Sequence, residues 1–306
     1  MEKKKTVLVT GSNGLLGQKI IYALRDRQDV ECVSTSRGEN RMLKTDGYEY
    51  VSMDISDSSE VNRVMAKYRP DAVIHTAALT NVDACESRKE DAKLLNVDAV
   101  DFLIKACEKY NSHLVHLSTD FVFDGEKGPY VESDQPNPLS YYAETKFQAE
   151  KHILESGISA SIIRTIIIYG VVDDNSRSNV VLWALNSIRD KKTITVINDQ
   201  YRSPTLAEDL ALACINAALK KAQGIYHVSG RELMCILDIV KITADFFNLD
   251  SGFIKSVSSA ELNQAAKRPP VTGFIIEKAQ RELDFHPHSF LDGLEIVKKQ
   301  LLLVGG

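Results

Sequence analysis

Residues 6–20 read TVLVTGSNGLLGQKI. A short β-branched apolar run, Thr6–Thr10, enters a loop holding Gly11, Gly14 and Gly17, and the helical pattern QKIIYALRDR follows at once. Glycines at such a junction let the backbone turn tightly and approach a pyrophosphate. The helix N-terminus behind them offers unpaired N–H groups and a positive dipole end to that anion. The spacing is G-x-x-G-x-x-G, not the commoner G-x-G-x-x-G. At the first strand–helix junction of an α/β chain it reads as a nucleotide loop, with Asn13, Leu15 and Leu16 between the glycines as further contacts.

Outward from this loop the pattern repeats. VECVSTS (30–36), YEYVSMD (48–54), DAVIHTAA (71–78), SHLVHLST (112–119) and SASIIRTIIIYG (159–170) read as strands. SEVNRVMAKY (59–68) and the long DAKLLNVDAVDFLIKACEKY (91–110) read as helices between them. Strands that are nearly all apolar, alternating with helices, predict a doubly wound parallel sheet covered on both faces, an α/β Rossmann fold. After Gly170 the rhythm changes, and from Ile225 the elements are short. The expected plan is a dinucleotide-binding Rossmann domain of residues 1–169 and 203–224, with a smaller C-terminal α/β substrate-binding lobe of 170–202 and 225–306.

Composition sets bounds on partners. The chain has 306 residues, 44% hydrophobic and 26% charged, with a formal net charge of -5. That balance argues against nucleic acid or an anionic membrane surface as the main partner. Cys32, Cys85, Cys107, Cys214 and Cys235 are scattered and odd in number, which predicts reduced thiols, not a disulfide frame or a metal site. The basic start MEKKK precedes an apolar run too short for a secretory signal, and no run reaches membrane-spanning length, so the expected location is the cytoplasm.

The second strand ends Ser34-Thr35-Ser36-Arg37, without the carboxylate that would hold the ribose hydroxyls of NAD. A guanidinium at Arg37, with Arg41 shortly after, suits the 2′-phosphate of NADPH; NADH is the alternative. Asp54, followed by Ile55, ends the third strand, where a carboxylate could meet the adenine amino group or cap the next helix. Ala77 and Ala78 are small enough to let a flat cofactor lie against the fourth strand's end.

The stretch PLSYYAETKFQAEKHI, from Pro138, places Tyr142 and Lys146 four apart, on one helix face. Together with the glycine loop and Thr119 at the end of the fifth strand, this pattern resembles the extended short-chain dehydrogenase/reductase family. HLSTDFVFDG (116–125), INDQYRSPTLAEDLA (197–211) and the tail KRPPVTGFIIEKAQRELDFHPHSFLDGL (267–294) resemble the dTDP-4-dehydrorhamnose reductases within it. The resemblance implies an NADPH-dependent oxidoreductase of dTDP-rhamnose biosynthesis, acting on a nucleotide sugar and built as a homodimer. In it Tyr142 gives a proton to the reduced ketone, Lys146 favours the phenolate and meets the nicotinamide ribose, and Thr119 aligns the carbonyl. Strand alternation separates Thr119 from its neighbour Ser118, so that one of the two serves. Asn96 falls where the family has a water-ordering asparagine beside the cofactor. Thr80, Asp120, Phe121, Arg202 and Arg268 are candidates for substrate contact. His75, His113, His116, His152 and His227 have no spaced partner and read as structural.

Two departures bear on the substrate. Ile167 stands where such reductases carry an aromatic residue beside the sugar, and Arg202 where many have a small residue. Arg202 either reaches a phosphate or forms a salt bridge. The same scaffold also serves nucleotide-sugar epimerases and dehydratases. A reading of another class is a non-catalytic, NADP-binding regulatory subunit, like the β subunit of methionine adenosyltransferase.

Overall fold

A computed structural model describes residues 4–174, 178–262 and 264–304; the basic start Met1–Lys3 lies outside the described residues. Strands β1 (Lys5–Thr10), β2 (Val30–Ser36), β3 (Glu49–Ser52), β4 (Ala72–His75) and β5 (His113–Thr119) alternate with helices α1 (Leu15–Arg25), α2 (Ser58–Tyr68), α3 (Val82–Ser87), α4 (Lys89–Lys93) and α5 (Ala99–Tyr110). Helix α6 (Tyr141–Ser156) leads to β6 (Ala160–Thr165) and the short β7 (Ile168–Tyr169). There follow α7 (Val180–Arg189), β8 (Ile194–Ile197), β9 (Tyr201–Arg202), β10 (Thr205–Leu206), α8 (Ala207–Lys220) and β11 (Gly224–Val228). The chain ends with β12 (Met234–Cys235), α9 (Ile236–Phe246), β13 (Ile254–Val257), β14 (Val271–Thr272), α10 (Glu277–Leu283) and α11 (Phe290–Val304).

The central sheet has seven strands in the order β11-β6-β5-β4-β1-β2-β3, all parallel. This is the doubly wound Rossmann order, and its topological switch point lies between β1 and β4. Alternate side chains of one strand serve the two faces. Val7 and Val9 join a core with Ile20, Ile21 and Leu24 of α1 and Leu210 of α8, while Leu8 joins Val64, Leu103 and Ile153 of α2, α5 and α6.

Four expectations are corrected. The strand Gly224–Val228 pairs with β6 along its length, so it belongs to the central sheet, and a boundary drawn at residue 224 cuts through a strand. The physical reason is the helical crossover α8, which returns the chain beside β6 as parallel pairing requires. The run 159–170 is two strands: β10 captures the backbone between them, with Thr205 Oγ1 donating to Ile166 O at 2.6 Å and Thr205 N to Ile167 O at 3.1 Å. Ile167 takes φ 23° there, an uncommon conformation for a β-branched residue. The long helix 91–110 contains a π-helical turn at Leu94–Asp98. Asp57, not Asp54, caps α2, accepting from Ser59 N and Glu60 N.

Helix α6 is fixed at both ends and in the middle. Ser140 caps its first turn through Ala143 N, and Gly157 closes it at φ 71°. On its sheet-facing row, Glu150 accepts from Arg164 Nε at 3.0 Å and Nη2 at 2.7 Å, a bidentate ion pair with both side chains at or below 2% exposure. Breaking a buried pair leaves an uncompensated charge. Arg164→Met alone is expected to destabilise the protein by about 3–5 kcal/mol in urea unfolding, and Arg164→Met with Glu150→Leu to recover most of that loss.

Candidate active site

The C-terminal ends of β1, β4 and β5 open onto a cleft of about 620 Å³. One wall is the glycine loop. Gly11 sits at φ 70°, and a Cβ on Gly17 would lie 2.4 Å from Gly11 O, so the loop closes only without those side chains. Gly14 is the N-cap of α1 and supplies no side-chain cap, which leaves the first-turn N–H groups free to meet an anion. Asn13 braces the loop, its Nδ2 donating to Glu39 O at 2.8 Å and its Oδ1 accepting from Arg41 N at 3.0 Å. Leu15 and Leu16 line the same wall. Arg37 and Arg41 stand at its far end: Arg37 is exposed, 3.9 Å from Asp54, and Arg41 is 3.6 Å from Asp174.

The opposite wall gathers Ala77, Ala78, Thr80, Thr119, Asp120, Phe121, Tyr142, Lys146 and Ile167. Residues brought from β4, β5 and α6 thus meet the glycine loop across one cavity. Tyr142 is half-buried, its ring edge-on to Phe121 with centroids 6.2 Å apart. Desolvation raises its phenol above the ordinary range, against a hydrogen bond with Thr119 that pulls it down. Lys146 is buried at 3% exposure, and its pKa is lowered to about 8 by desolvation, opposed by the negative Glu150 one turn on. Its Nζ lies 3.2 Å from His116 Nε2. The expectation that Lys146 holds the free phenol low is therefore corrected: burial dominates both groups in this arrangement.

Thr119 Oγ1 donates to Asp120 Oδ1 at 3.1 Å and accepts from Phe121 N at 3.2 Å. Ser118 also lines the cleft, and its buried hydroxyl has no partner among the described residues.

Five sequence candidates sit back from the cleft wall. Ile55 is buried in the core with Val61 and Val64, and Asp54 accepts from Ser56 N and Oγ at 2.9 and 2.6 Å. Asn96, on the π-helical turn, spends its amide on Leu79 N, Leu79 O and Thr145 Oγ1 at 2.8, 3.1 and 3.1 Å, tying the β4 loop to α6. Arg202 is buried. It donates to Pro269 O at 2.6 Å and Pro270 O at 3.1 Å, and its Nε lies 3.6 Å from Asp120, which decides for the salt bridge over the phosphate. Arg268 pairs with Asp83 at 2.6 Å. Long side chains turn to the nearest buried acceptors, a choice set by tertiary packing.

The sequence reading missed that His75 and His116, though buried, each keep one ring nitrogen unpaired: His75 Nε2 and His116 Nδ1 have no partner among the described residues. The available signal was their equal place near the ends of adjacent strands. The depressed pKa of Lys146 has a stability consequence. Below pH about 8 the folded protein carries the cost of a buried ammonium, and this cost is relieved as pH rises toward the unfolded value of 10.5. Relative to Lys146→Met, the wild type should therefore gain about 2–3 kcal/mol in unfolding free energy between pH 7 and pH 10, measured by urea titration at each pH.

Residues 5–302 match the family described as RmlD substrate binding domain. Among curated relatives, the methionine adenosyltransferase 2 subunit beta of Danio rerio is 32% identical over 87% of this chain and 81% of its own. A probable low-salt glycan biosynthesis reductase of Haloferax volcanii is 29% identical over 90% of this chain and 91% of its own. The crystal structure of dTDP-4-dehydrorhamnose reductase from Bacillus anthracis, in complex with NADP, superposes with a TM-score of 0.85 at 26% identity over 97% of this chain and 99% of that one. The motifs and the fold agree with these likenesses, and the chain belongs to the RmlD substrate binding domain family.

Proposed function

We propose that this NAD(P)-dependent oxidoreductase uses NADPH to reduce the 4-keto group of a 6-deoxy sugar nucleotide, with dTDP-4-dehydro-L-rhamnose to dTDP-L-rhamnose as the favoured reaction. The observation that carries the reading is the meeting of Thr119, Tyr142 and Lys146 on one wall of a cleft whose other wall is an uncapped glycine loop. That loop suits a dinucleotide: Gly11, Gly14 and Gly17 leave room for the pyrophosphate, and Arg37 and Arg41 suit a 2′-phosphate. NADPH, when bound, supplies the hydride.

The chain's own residues manage the proton. Tyr142 gives its phenolic proton to the carbonyl oxygen as that oxygen becomes an alkoxide. Lys146, an ammonium below pH about 8, stabilises the phenolate left behind, and Thr119 turns its hydroxyl from Asp120 to hold the carbonyl oxygen in line. Reduction should therefore slow as pH rises through about 8 and Lys146 loses its charge. Asp120 is committed to Arg202 and Thr272, which favours a reductase over a dehydratase, whose elimination step needs a free acid or base beside the sugar. Thr80 and Phe121 are the proposed sugar-side contacts on the open part of the cleft.

The 30–32% identity to vertebrate methionine adenosyltransferase β subunits favours one second reading, an NADP-binding regulatory subunit of a larger enzyme. One experiment separates the two. NADPH and NADH oxidation is followed with dTDP-4-keto-L-rhamnose generated from dTDP-glucose. Ketone-dependent oxidation by the wild type should fall at least about 100-fold in Tyr142→Phe while NADPH binding persists. Arg37→Ser should raise KM for NADPH by about tenfold and leave that for NADH unchanged, the loss of one charge-assisted contact. NADPH binding without oxidation of any 4-keto sugar nucleotide would sink the reductase reading and leave the regulatory one.

A further inference from the structure

Adjacent strands of the central sheet are in register, so side chains at equal height on one face form rows. Val33, Leu8, Val73 and Leu114 form one such row, packed in the core beneath α2, α5 and α6. Two residues further along, on the same face, stand Thr35, Thr10, His75 and His116. The apolar floor thus becomes polar where it passes beneath Lys146. Thr10 Oγ1 and His75 Nδ1 are 2.7 Å apart, the His75 and His116 rings stack with centroids 5.5 Å apart, and His116 Nε2 is 3.2 Å from Lys146 Nζ. All four side chains are buried, Thr10 and His116 completely.

We propose that His116 is a positioning residue for Lys146: a neutral imidazole, protonated at Nδ1, that accepts the ammonium's hydrogen bond at Nε2 and keeps Lys146 charged beneath the cleft. An ammonium donates only, so the nitrogen facing it must be the unprotonated one. A carboxylate here would hold Lys146 more tightly but would cancel its field at Tyr142. An imidazole supplies the hydrogen bond without a counter-charge. An apolar residue would leave the ammonium unpartnered in a dry site, which costs far more than exposing it. The surrounding charges are consistent with this division. Glu150, the α6 carboxylate one turn on whose charge acts on Lys146, is held by Arg164 of β6, and Tyr142 on α6 and His75 on β4 are neutral at physiological pH. Burial and the charge of Lys146 hold His116 well below its ordinary value, so it stays an acceptor throughout the working range.

The inference deepens the reductase reading, but its main test needs no substrate. In protein labelled with ¹³C at lysine Cε, the Lys146 resonance is identified by its absence from Lys146→Met and titrated in the wild type, His116→Leu and His116→Gln. The midpoint should drop by about one pH unit or more in His116→Leu, where the acceptor is lost, and stay near the wild type in His116→Gln, whose amide oxygen can accept. A midpoint unmoved in folded His116→Leu, or moved equally in both variants, overturns the proposal. Should His116→Leu not fold, the wild type still decides. Its ¹⁵N imidazole spectrum must show His116 neutral and protonated at Nδ1 from pH 5 to 9; an Nε2–H tautomer or an imidazolium overturns it. A shifted Lys146 midpoint in a protein that reduces no ketone would leave this role standing and remove the proposed reaction instead.

Discussion

The buried pair of Arg164 with Glu150 is the constraint on which the site's geometry depends. Tyr142, Lys146 and Glu150 are spaced by four on α6 and lie in one row against the sheet. A helix packed by apolar contacts alone could slide or rotate by fractions of a turn at small cost. A bidentate guanidinium–carboxylate contact fixes the rotation of α6 about its axis and its height along β6. Once Glu150 is held, Lys146 must lie over β5 near His116, and Tyr142 must reach the cleft beside Thr119. The pair is weak evidence for net stability, because desolvating both ions offsets much of their attraction. Its effect here is positional.

The sheet that carries these residues changes character along its length. Through most of its depth, both faces are aliphatic, as a parallel sheet between two helix layers requires. At the C-terminal ends of β1, β4 and β5 one face turns polar, with Thr10, His75 and His116 in place of valine, leucine and isoleucine. Buried polar groups cost free energy unless they are paired, and two imidazole nitrogens and the Ser118 hydroxyl have no partner among the described residues. Such groups gather at the topological switch point, where an open α/β sheet binds its ligands. The destabilised end of the sheet and the cleft are the same place.

How much of this was legible in the sequence depended on how local each signal was. The glycine loop and the Tyr142–Lys146 spacing are properties of a few consecutive residues, and backbone geometry alone makes them meaningful. The parallel, doubly wound character of the sheet followed from the alternation of apolar strands with helices. The place of Gly224–Val228 did not, because joining the central sheet depends on where α8 delivers the chain. Asn96 and Arg268 read as ligand contacts in the sequence, and Arg202 as a ligand contact or a salt bridge, yet each has long or branched polar groups that turn to acceptors in distant segments. His75 and His116 lie 41 positions apart in sequence, and only strand register makes them neighbours.

Arg202 shows how the C-terminal segments are brought into the site without touching the cleft. It stands on β9, between β12 and β14, and its guanidinium meets the carbonyls of Pro269 and Pro270, while its Nε faces Asp120 at the end of β5. Burial pushes the Asp120 carboxyl up, and the positive Arg202 works against that push, with Thr272 and Thr119 donating to its two oxygens. A residue from late in the chain therefore favours the charged form of one next to Thr119, against the larger effect of burial. The same guanidinium lies 5.5 Å from the Phe121 ring, which itself packs edge-on to Tyr142. A small residue at this position could make none of these contacts. With Arg202, the loop at 266–272, the turn after β5 and Tyr142 form one packed unit, so a displacement of the C-terminal segments is felt at Thr119 and Tyr142.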